Sequence, residues 1–321
     1  MTADVVRTLA GVARDAAHLV VPRQACRACG RDEAVLAERD DGAVVRHGEA
    51  VAKAHAADTD TAALATRLAV AAHPSLTGIL LAPVPLPAGD LHGRPVSAWP
   101  YGVPVDPANP DVAPWEDAAV LLARLHRVDT DRLPGPLPPM RGPAKAARAR
   151  ARMRAAAGDH PAAATVERAW ERLPAWARSE ATSPRSSTLC HGDLHLGQLV
   201  RHPAPGGPWL LIDVDDLGLG DPAWDLARPA AWYAAGLLPA QIWQRFLGAY
   251  TAAQGPAVPA DSDPWPQLDV PARALTVQTA ALALAKAAAE QRDPDEVDQA
   301  MIESCARIAT LPAELDCESS S

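Results

Sequence analysis

The sequence predicts an α+β protein in two parts, a smaller β-rich part followed by a larger and mainly helical part. The chain has 321 residues, long enough for two lobes, because single hydrophobic cores stop growing at roughly 250 to 300 residues. In the first hundred residues, short strand-forming runs alternate with turn signals. The last third instead carries apolar residues at helical spacing. We therefore expect an N-terminal lobe at 1–101 and a C-terminal lobe at 102–321.

The N-terminal part begins with a helical stretch and continues with three predicted strands at 33–40, 43–48 and 49–56. Asp41-Gly42 is a hairpin signal between the first two. A helix is predicted at 58–72, and two further strands, interrupted by prolines, are predicted at 78–90 and 94–106.

The remaining chain is predicted to be mostly helical. Apolar spacing places a helix within 111–129, and a proline-rich connector at 133–143 leads into a basic helix at 144–158. We interpret the cations of this basic helix as a solvated face, because they spread around the helix: Lys145, Arg148, Arg150, Arg152 and Arg154. Four further helices are predicted at 222–236, 239–253, 269–290 and 295–309.

Two motifs carry most of the chemical information, LCHGDLHLGQLV at 189–200 and LLIDVDDLGLGDPAWDLA at 210–227. Strand signals flank the first motif, so we expect a tight loop that carries Asp193. The apolar run before Asp213 predicts a buried strand that ends in a carboxylate. Gln198 adds an amide oxygen. Either aspartate alone would be interpreted as a turn or cap residue. Together, a base for a hydroxyl and oxygen ligands for magnesium predict phosphoryl transfer.

At these residues the sequence resembles the aminoglycoside phosphotransferase family of kinase-like enzymes, over roughly residues 30–310. The family's conserved elements correspond to His191-Gly192-Asp193, Ile212-Asp213, Gly220-Asp221-Pro222 and Asp225-Leu226-Ala227. The resemblance implies a protein-kinase-like bilobal fold. In that fold a small β-rich N-lobe binds the nucleotide, and a larger, mainly helical C-lobe carries the catalytic loop and the acceptor site.

The resemblance also implies roles for single residues. Asp193 is the expected catalytic base, His191 belongs to the catalytic loop, and Asp225 is expected to brace that loop. Asp213 and Gln198 are the expected magnesium ligands. Most members of the family carry Asn where this chain has Gln198; the His-Leu-Gly-Gln form is similar to the variant of maltokinase-like sugar kinases.

The N-lobe contains the residues expected to bind the nucleotide. Lys53, in the third predicted strand, matches the lysine that kinases direct at the α- and β-phosphates, although spacing alone would favour a solvated side chain. The backbone of Trp99, Tyr101 and Val103 is expected to offer hydrogen bonds to an adenine ring. The following helix lacks the usual glutamate partner for the lysine, and Arg67 stands near its place.

The implied function is ATP-dependent transfer of the γ-phosphate to a hydroxyl of a small molecule, with Mg²⁺; GTP is not distinguished from ATP. The leading acceptor is an aminoglycoside or other hydroxylated antibiotic, which implies a role in antibiotic resistance. A sugar or amino-sugar kinase is the alternative that Gln198 favours. A nucleotide-binding pseudokinase without transfer activity is the alternative that the missing glutamate favours.

Composition and charge limit the kinds of partner that the protein is expected to bind. A net charge of −9 argues against a nucleic-acid partner, which would need a basic face. No run of 18 apolar residues is present, and the first residues form an amphipathic stretch instead of a signal peptide. We therefore expect a cytoplasmic protein with no membrane partner, either monomeric or homodimeric.

The cysteines do not predict a disulfide framework, since there are only five in the chain. Cys26 and Cys29 form a C-x-x-C pair, but a structural zinc site needs two further ligands and no second pair occurs at matching spacing. We interpret them as reduced thiols in a connector. Cys190 is expected to be a small buried residue and not a nucleophile.

Overall fold

The structure is a computed structural model that describes residues 3–30, 34–39, 42–109 and 112–311. The chain folds into two compact units that are discontinuous in sequence. Unit 1 consists of Met1–Pro114, Asp131–Pro138 and Leu196–Asp215, and unit 2 of Trp115–Thr130, Pro139–His195 and Asp216–Ser321. The lobe boundary after residue 101 stays a prediction.

Unit 1 is built on an antiparallel sheet of five strands in the order β1-β2-β3-β5-β4. The three strands expected first along the chain are present, while the turn expected at Asp41-Gly42 falls partly outside the described residues. The strands are β1 (Ala34–Arg39), β2 (Gly42–His47), β3 (Ala50–Ala54), β4 (Val84–Leu91) and β5 (Arg94–Pro100).

Two helices accompany this sheet in the sequence of unit 1. Helix α1 (Ala3–Val20) places Val5 and Leu9 in one apolar cluster with Val45 of β2 and Ala52 of β3, so it covers one face of the sheet. Helix α2 (Thr61–Ala71) begins at Asp60, whose carboxylate accepts hydrogen bonds from the backbone N–H groups of Ala62 and Ala63. This is the side-chain cap that aspartate typically provides at the start of a helix.

A second, three-stranded sheet in unit 1 has the order β6-β8-β9. Its strands are β6 (Val103–Pro104), β8 (Leu199–Arg201) and β9 (Trp209–Leu211), all antiparallel. The Ile212 N–H donates to the Gln198 carbonyl at 2.9 Å. This pairing places Gln198, just before β8, beside the segment that follows β9.

Unit 2 is mainly helical, as predicted. Helix α4 packs on α8, which also contacts α6 and α9. A short antiparallel pair, β7 (Thr188–Cys190) with β10 (Gly218–Gly220), completes the unit. The helices are α3 (Trp115–His126), α4 (Gly142–Ala157), α5 (Ala163–Glu171), α6 (Ala223–Ala234), α7 (Ala240–Ala252), α8 (Trp265–Ala289) and α9 (Glu296–Ala309).

Among the helices that the structure describes, none combines the length and the apolarity needed to cross a membrane.

Candidate active site

Lys53 is the centre of a charged cluster in unit 1. It lies in β3, opposite Val44 of β2 and Ser97 of β5. Its Nζ donates to Asp213 Oδ1 at 2.6 Å and lies 3.0 Å from Asp215 Oδ2. Desolvation favours the neutral amine, but the two carboxylates outweigh it and raise the pKa of Lys53 above its usual value. The lysine therefore stays charged.

Asp215 is held in place by a buried chain of hydrogen bonds. His55 Nδ1 lies 3.1 Å from Asp215 Oδ1, and His55 Nε2 lies 2.8 Å from Ser97 Oγ. Trp99 Nε1 donates to the same hydroxyl at 3.0 Å. Desolvation would raise the pKa of Asp215, but Lys53 and His55 outweigh it and lower the pKa well below its usual range. Asp215 is thus ionised at neutral pH beside Lys53.

Asp213 follows β9 and adopts a left-handed backbone conformation, with φ of 64°. Non-glycine residues in this region cost energy and cluster at functional sites, and aspartate tolerates it better than most. While Oδ1 accepts from Lys53, Oδ2 lies 3.4 Å from the buried Gln198 side-chain amide nitrogen. Rotation of that amide would present its oxygen beside the Asp213 carboxylate. The pair offers the oxygen donors that a hard divalent cation prefers.

These side chains line a cavity of about 440 Å³ within unit 1. Such a volume is typical of small-molecule sites. Lys53, Gln198 and Asp213 contribute polar groups to the wall; the apolar surface comes mainly from Val44, Val51, Leu81, Trp99, Tyr101 and Ile212. Unit 1 therefore pairs an apolar cavity with one cation and several oxygen ligands.

The backbone near the cavity corrects one expectation. The Tyr101 N–H donates to the Glu49 carbonyl at 2.8 Å, and the Tyr101 carbonyl lies 3.0 Å from His202 Nδ1. Both backbone polar groups of Tyr101 thus have partners within the protein, so the Tyr101 N–H is not an available donor for a ligand. Trp99 lies in β5, and Val103 lies in β6 opposite Arg201. Their predicted contacts with a nucleotide stay predictions.

In unit 2, the segment after β7 is fixed by Asp225 near the start of α6. Asp225 Oδ2 accepts from the His191 N–H at 2.6 Å, and Oδ1 accepts from the Gly192 N–H at 2.7 Å. Gly192 has a φ of 85°, and a Cβ there would collide with the Asp216 carbonyl. Only glycine fits this turn, which gives the Asp193 loop one defined conformation.

Asp225 is itself completely buried and held by His126 of α3. His126 Nε2 lies 3.0 Å from Asp225 Oδ2, and its Nδ1 lies 2.8 Å from the Tyr250 hydroxyl. The Ala257 N–H donates to that same hydroxyl at 3.0 Å. Both carboxylate oxygens of Asp225 therefore have hydrogen-bond partners, which fixes the position of this buried side chain.

The Asp193 carboxylate contacts two cationic side chains of unit 2. Lys145 Nζ lies 2.6 Å from Oδ2, and Arg228 Nη2 donates to Oδ1 at 2.8 Å. Desolvation would raise the pKa of Asp193, but Lys145 and Arg228 outweigh it and lower the pKa. Lys145 also contacts Asp216 Oδ2 at 2.8 Å. Asp193 is therefore an oriented carboxylate that remains ionised at neutral pH.

The family assignment follows from a comparison of sequences. Residues 39–268, well over half of the chain, match the Phosphotransferase enzyme family (APH). The chain belongs to this family. It is a small-molecule phosphotransferase. A comparison with curated protein sequences finds no significant match.

Solved structures place this phosphotransferase in the protein-kinase-like fold, as predicted. A thermostable mutant of the aminoglycoside phosphotransferase APH(4)-Ia, in its apo form, matches with a TM-score of 0.57 at 15% identity, over 90% of this chain and 96% of that one. Choline kinase from Cryptosporidium parvum Iowa II gives a TM-score of 0.58 at 11% identity, over 94% of this chain and 95% of that one. A choline/ethanolamine kinase family protein from Mesorhizobium loti gives a TM-score of 0.52 at 16% identity, over 93% of this chain and 95% of that one.

Several charged residues that the structure brings together within each unit of this phosphotransferase were not predicted from the sequence. Lys145 belongs to the basic helix whose cations were expected to form a solvated face, and that interpretation is wrong for it, because it is partly buried between two carboxylates. Arg228 follows the Asp-Leu-Ala element directly, and Asp215 and Asp216 follow Asp213 in the acidic run. The acidic run was the one available signal. The two cations that contact Asp193 are distant from it in sequence, and no local pattern indicates that they pair with it.

Cys190, just before the loop that carries Asp193, is a buried residue, as expected. Cys190 is fully buried and donates to the Thr188 carbonyl at 3.4 Å. Burial raises the pKa of this thiol well above its usual value. It therefore fills space behind the loop of the phosphotransferase and does not act as a nucleophile.

Proposed function

We propose that the protein transfers the γ-phosphate of ATP, with Mg²⁺, to a hydroxyl of a small cationic acceptor. The observation that carries this proposal is the double pairing of Lys53 with Asp213 and Asp215. A kinase lysine needs an acidic partner to hold it toward the nucleotide phosphates. The sequence lacks the usual glutamate, and Asp215 fills this role here. This weakens the pseudokinase alternative, which rested on a lysine without a partner.

Asp213 and Gln198 are the residues that would hold the magnesium ion. Their oxygen donors fit its preference, and Lys53 already offsets part of the negative charge around them. When bound, the ion would neutralise charge on the nucleotide phosphates. The apolar cavity beside them has the size and lining that an adenine base requires.

Asp193 would orient the acceptor hydroxyl and take its proton. Phosphoryl transfer proceeds through a loose transition state, in which positioning matters more than basicity. A carboxylate of lowered pKa, fixed by Lys145 and Arg228, suits this role. Asp225 would keep the loop in position through the His191 and Gly192 N–H groups. Catalytic roles for Asp193 and His191 belong to this proposal.

The acceptor class follows from charge and from the related structures. The net charge of −9 favours a cationic acceptor. APH(4)-Ia, at 16% identity, has been solved in a ternary complex with AMP-PNP and hygromycin B, and another structural relative is a choline kinase. Aminoglycosides and choline are both cationic alcohols. An aminoglycoside is our leading acceptor; Gln198 keeps a sugar or amino sugar as the second candidate.

The test is Mg²⁺-dependent turnover of ATP and of GTP with a panel of aminoglycosides, neutral sugars, amino sugars and choline. Asp193→Asn should reduce turnover by about 10²- to 10⁴-fold while nucleotide affinity stays nearly constant. Asp261→Asn, at an exposed position of unit 2, is the matched control. Phosphorylated product from a neutral sugar alone would select the sugar kinase. Nucleotide binding without transfer to any acceptor would select the pseudokinase.

A further inference from the structure

Four potential metal ligands from three separate segments meet in unit 1. His18 lies in the last turn of α1, Cys26 and Cys29 lie between α1 and β1, and His47 is the last residue of β2. One ligand atom from each side chain lies within 4.8 Å of all the others. None of these residues contributes to the charged cluster around Lys53 or to its cavity.

The distances agree with a tetrahedral site of two sulfurs and two nitrogens. His18 Nε2 lies 3.2 Å from Cys29 Sγ, and His47 Nε2 lies 3.5 Å from Cys26 Sγ and 3.8 Å from Cys29 Sγ. A zinc ion with bonds of about 2.3 Å to sulfur and about 2.0–2.1 Å to nitrogen would separate neighbouring sulfur and nitrogen ligands by about 3.6 Å. The three observed separations bracket that value.

The backbone of the cysteine segment supports the same interpretation. Gly30 has a φ of 89°, so the chain turns away directly after Cys29 in a conformation that favours glycine. Both sulfurs are free thiols and not a disulfide.

We propose that His18, Cys26, Cys29 and His47 bind one structural Zn²⁺ ion. Two thiolates balance the charge of the ion, and the two thiol protons are released on binding. Soft sulfur ligands with imidazole select zinc over magnesium. Four protein ligands leave no open position for a substrate, which separates structural from catalytic zinc. The proposal is independent of the proposed function, because it uses none of the same residues.

The ion would fasten α1 to the sheet at the end opposite its first turn. Val5 and Leu9 near the beginning of α1 are held by apolar packing against the sheet. His18, near its end, is partly exposed, as is Cys26, and Cys29 is exposed. Zinc would add a bonded attachment to the apolar packing that Ala16 and Ala17 already make with the sheet near that end, and it would tie the cysteine segment between α1 and β1 to both elements.

The test begins with the untagged protein, purified under reducing conditions without chelators. We expect about one zinc per chain by elemental analysis. Cys29→Ser and His18→Gln should each lose most of that zinc and lower the thermal midpoint. The matched controls are Cys317→Ser, outside the described residues, and His73→Gln, on another segment of unit 1; both should retain the zinc and the midpoint.

A second measurement does not depend on the stability of any variant. Reduced, metal-free parent protein titrated with cobalt(II) should develop the intense visible absorption of a tetrahedral thiolate site, saturating at one equivalent, and zinc should then abolish it. No zinc in the purified parent together with no such spectrum would overturn the proposal. A Cys26–Cys29 disulfide in freshly prepared protein that binds no metal would overturn it too, in favour of a redox pair.

Discussion

At the scale of single residues, Asp193 combines orientation with low basicity. Both of its oxygens are bound to cations, and the pKa of its carboxyl is lowered. A catalytic carboxylate must be ionised, so activity is present above its pKa and is lost as the pH falls through it. For the parent protein this loss should fall below about pH 4, the ordinary range of aspartate.

Replacing Lys145 tests that relation. Lys145→Met removes one cation 2.6 Å from Asp193, and an opposite charge at such distances lowers an aspartate pKa by about 1 to 3 units. The acid limb of kcat/KM against pH should therefore move up by about 1 unit or more in this variant. Lys145→Arg, which keeps the charge, should leave the limb close to that of the parent. If the acid limbs of kcat/KM against pH coincide in the parent and the Met variant, Lys145 does not influence the ionisation of Asp193.

Gln198 is one of the positions at which the resemblance implies a departure from the usual pattern of the family. If its amide oxygen binds magnesium beside Asp213, Gln198→Asn should retain substantial activity. Gln198→Leu keeps the bulk but removes the oxygen, so it should raise the magnesium requirement and lower turnover. Titration of magnesium against nucleotide binding distinguishes the two variants. Identical curves for the parent and the Leu variant would remove Gln198 from the metal site.

At the scale of secondary-structure elements, the cations of α4 serve two different purposes. Lys145, near its start, reaches Asp193, whereas Arg150 and Arg154 both bind Glu167 of α5, with shortest contacts of 2.8 and 2.7 Å. One helix thus contributes to the candidate active site and also holds its neighbour. Its cations look like a solvated face in sequence only because their acidic partners lie on other elements.

The pairing of α4 with α5 should depend on pH. Desolvation would raise the pKa of Glu167, but Arg154 and Arg150 outweigh it and lower the pKa. A lowered folded-state pKa stabilises the fold above about pH 4.3, the unfolded value, and this contribution disappears as the pH falls through the folded value. Glu167→Gln should lower the thermal midpoint by about 2 °C at pH 7, or about 1 kcal/mol.

The same difference between parent and Glu167→Gln should shrink as the pH falls below about 4.3 and should vanish only below the lowered folded-state pKa of Glu167, where the folded parent is protonated as well. Glu303→Gln, at an exposed position of α9, is the control and should show no difference at either pH. A gap between parent and Glu167→Gln that persists unchanged at low pH would mean that packing, and not the ion pairs, holds α5 to α4.

At the scale of the whole molecule, the net charge of −9 should govern encounter with the acceptor. Exposed charges are screened beyond about 8 Å at physiological ionic strength. Raising the salt concentration should therefore increase KM for a cationic acceptor while leaving kcat nearly unchanged. KM for a neutral sugar, measured in the same buffers, is the control. Equal salt dependence for both acceptors would exclude steering by the net charge.

The sequence predicted those parts of the molecule that local pattern determines. The strand that carries Lys53 and the loop that carries Asp193 follow from alternation, turn residues and short motifs. Helix α5 was not predicted, since its nine residues lie in an alanine- and arginine-rich stretch without a capping side chain. The contact between Lys53 and Asp215 could not be predicted either, because these residues are 162 positions apart and no local rule connects them.

The ligand cluster around Cys26 and Cys29 shows the same limit. The spacing of the two cysteines suggests half of a zinc site, and a search for a second pair close by finds none. The other two ligands come from the end of α1 and the end of β2, His18 and His47. They become neighbours only after the helix has packed on the sheet, which is a property of the fold.

The left-handed backbone of Asp213 implies a trade-off between activity and stability. Any side chain with a Cβ is strained at a φ of 64°, and alanine there costs about 1 to 2 kcal/mol more than glycine. Asp213→Gly and Asp213→Ala should be equally inactive, yet the glycine variant should melt at the higher temperature. Equal melting temperatures would show that the surroundings absorb the strain. Glycine would relieve the strain but would also remove the carboxylate that accepts from Lys53, so the presence of aspartate implies selection for what its carboxylate does.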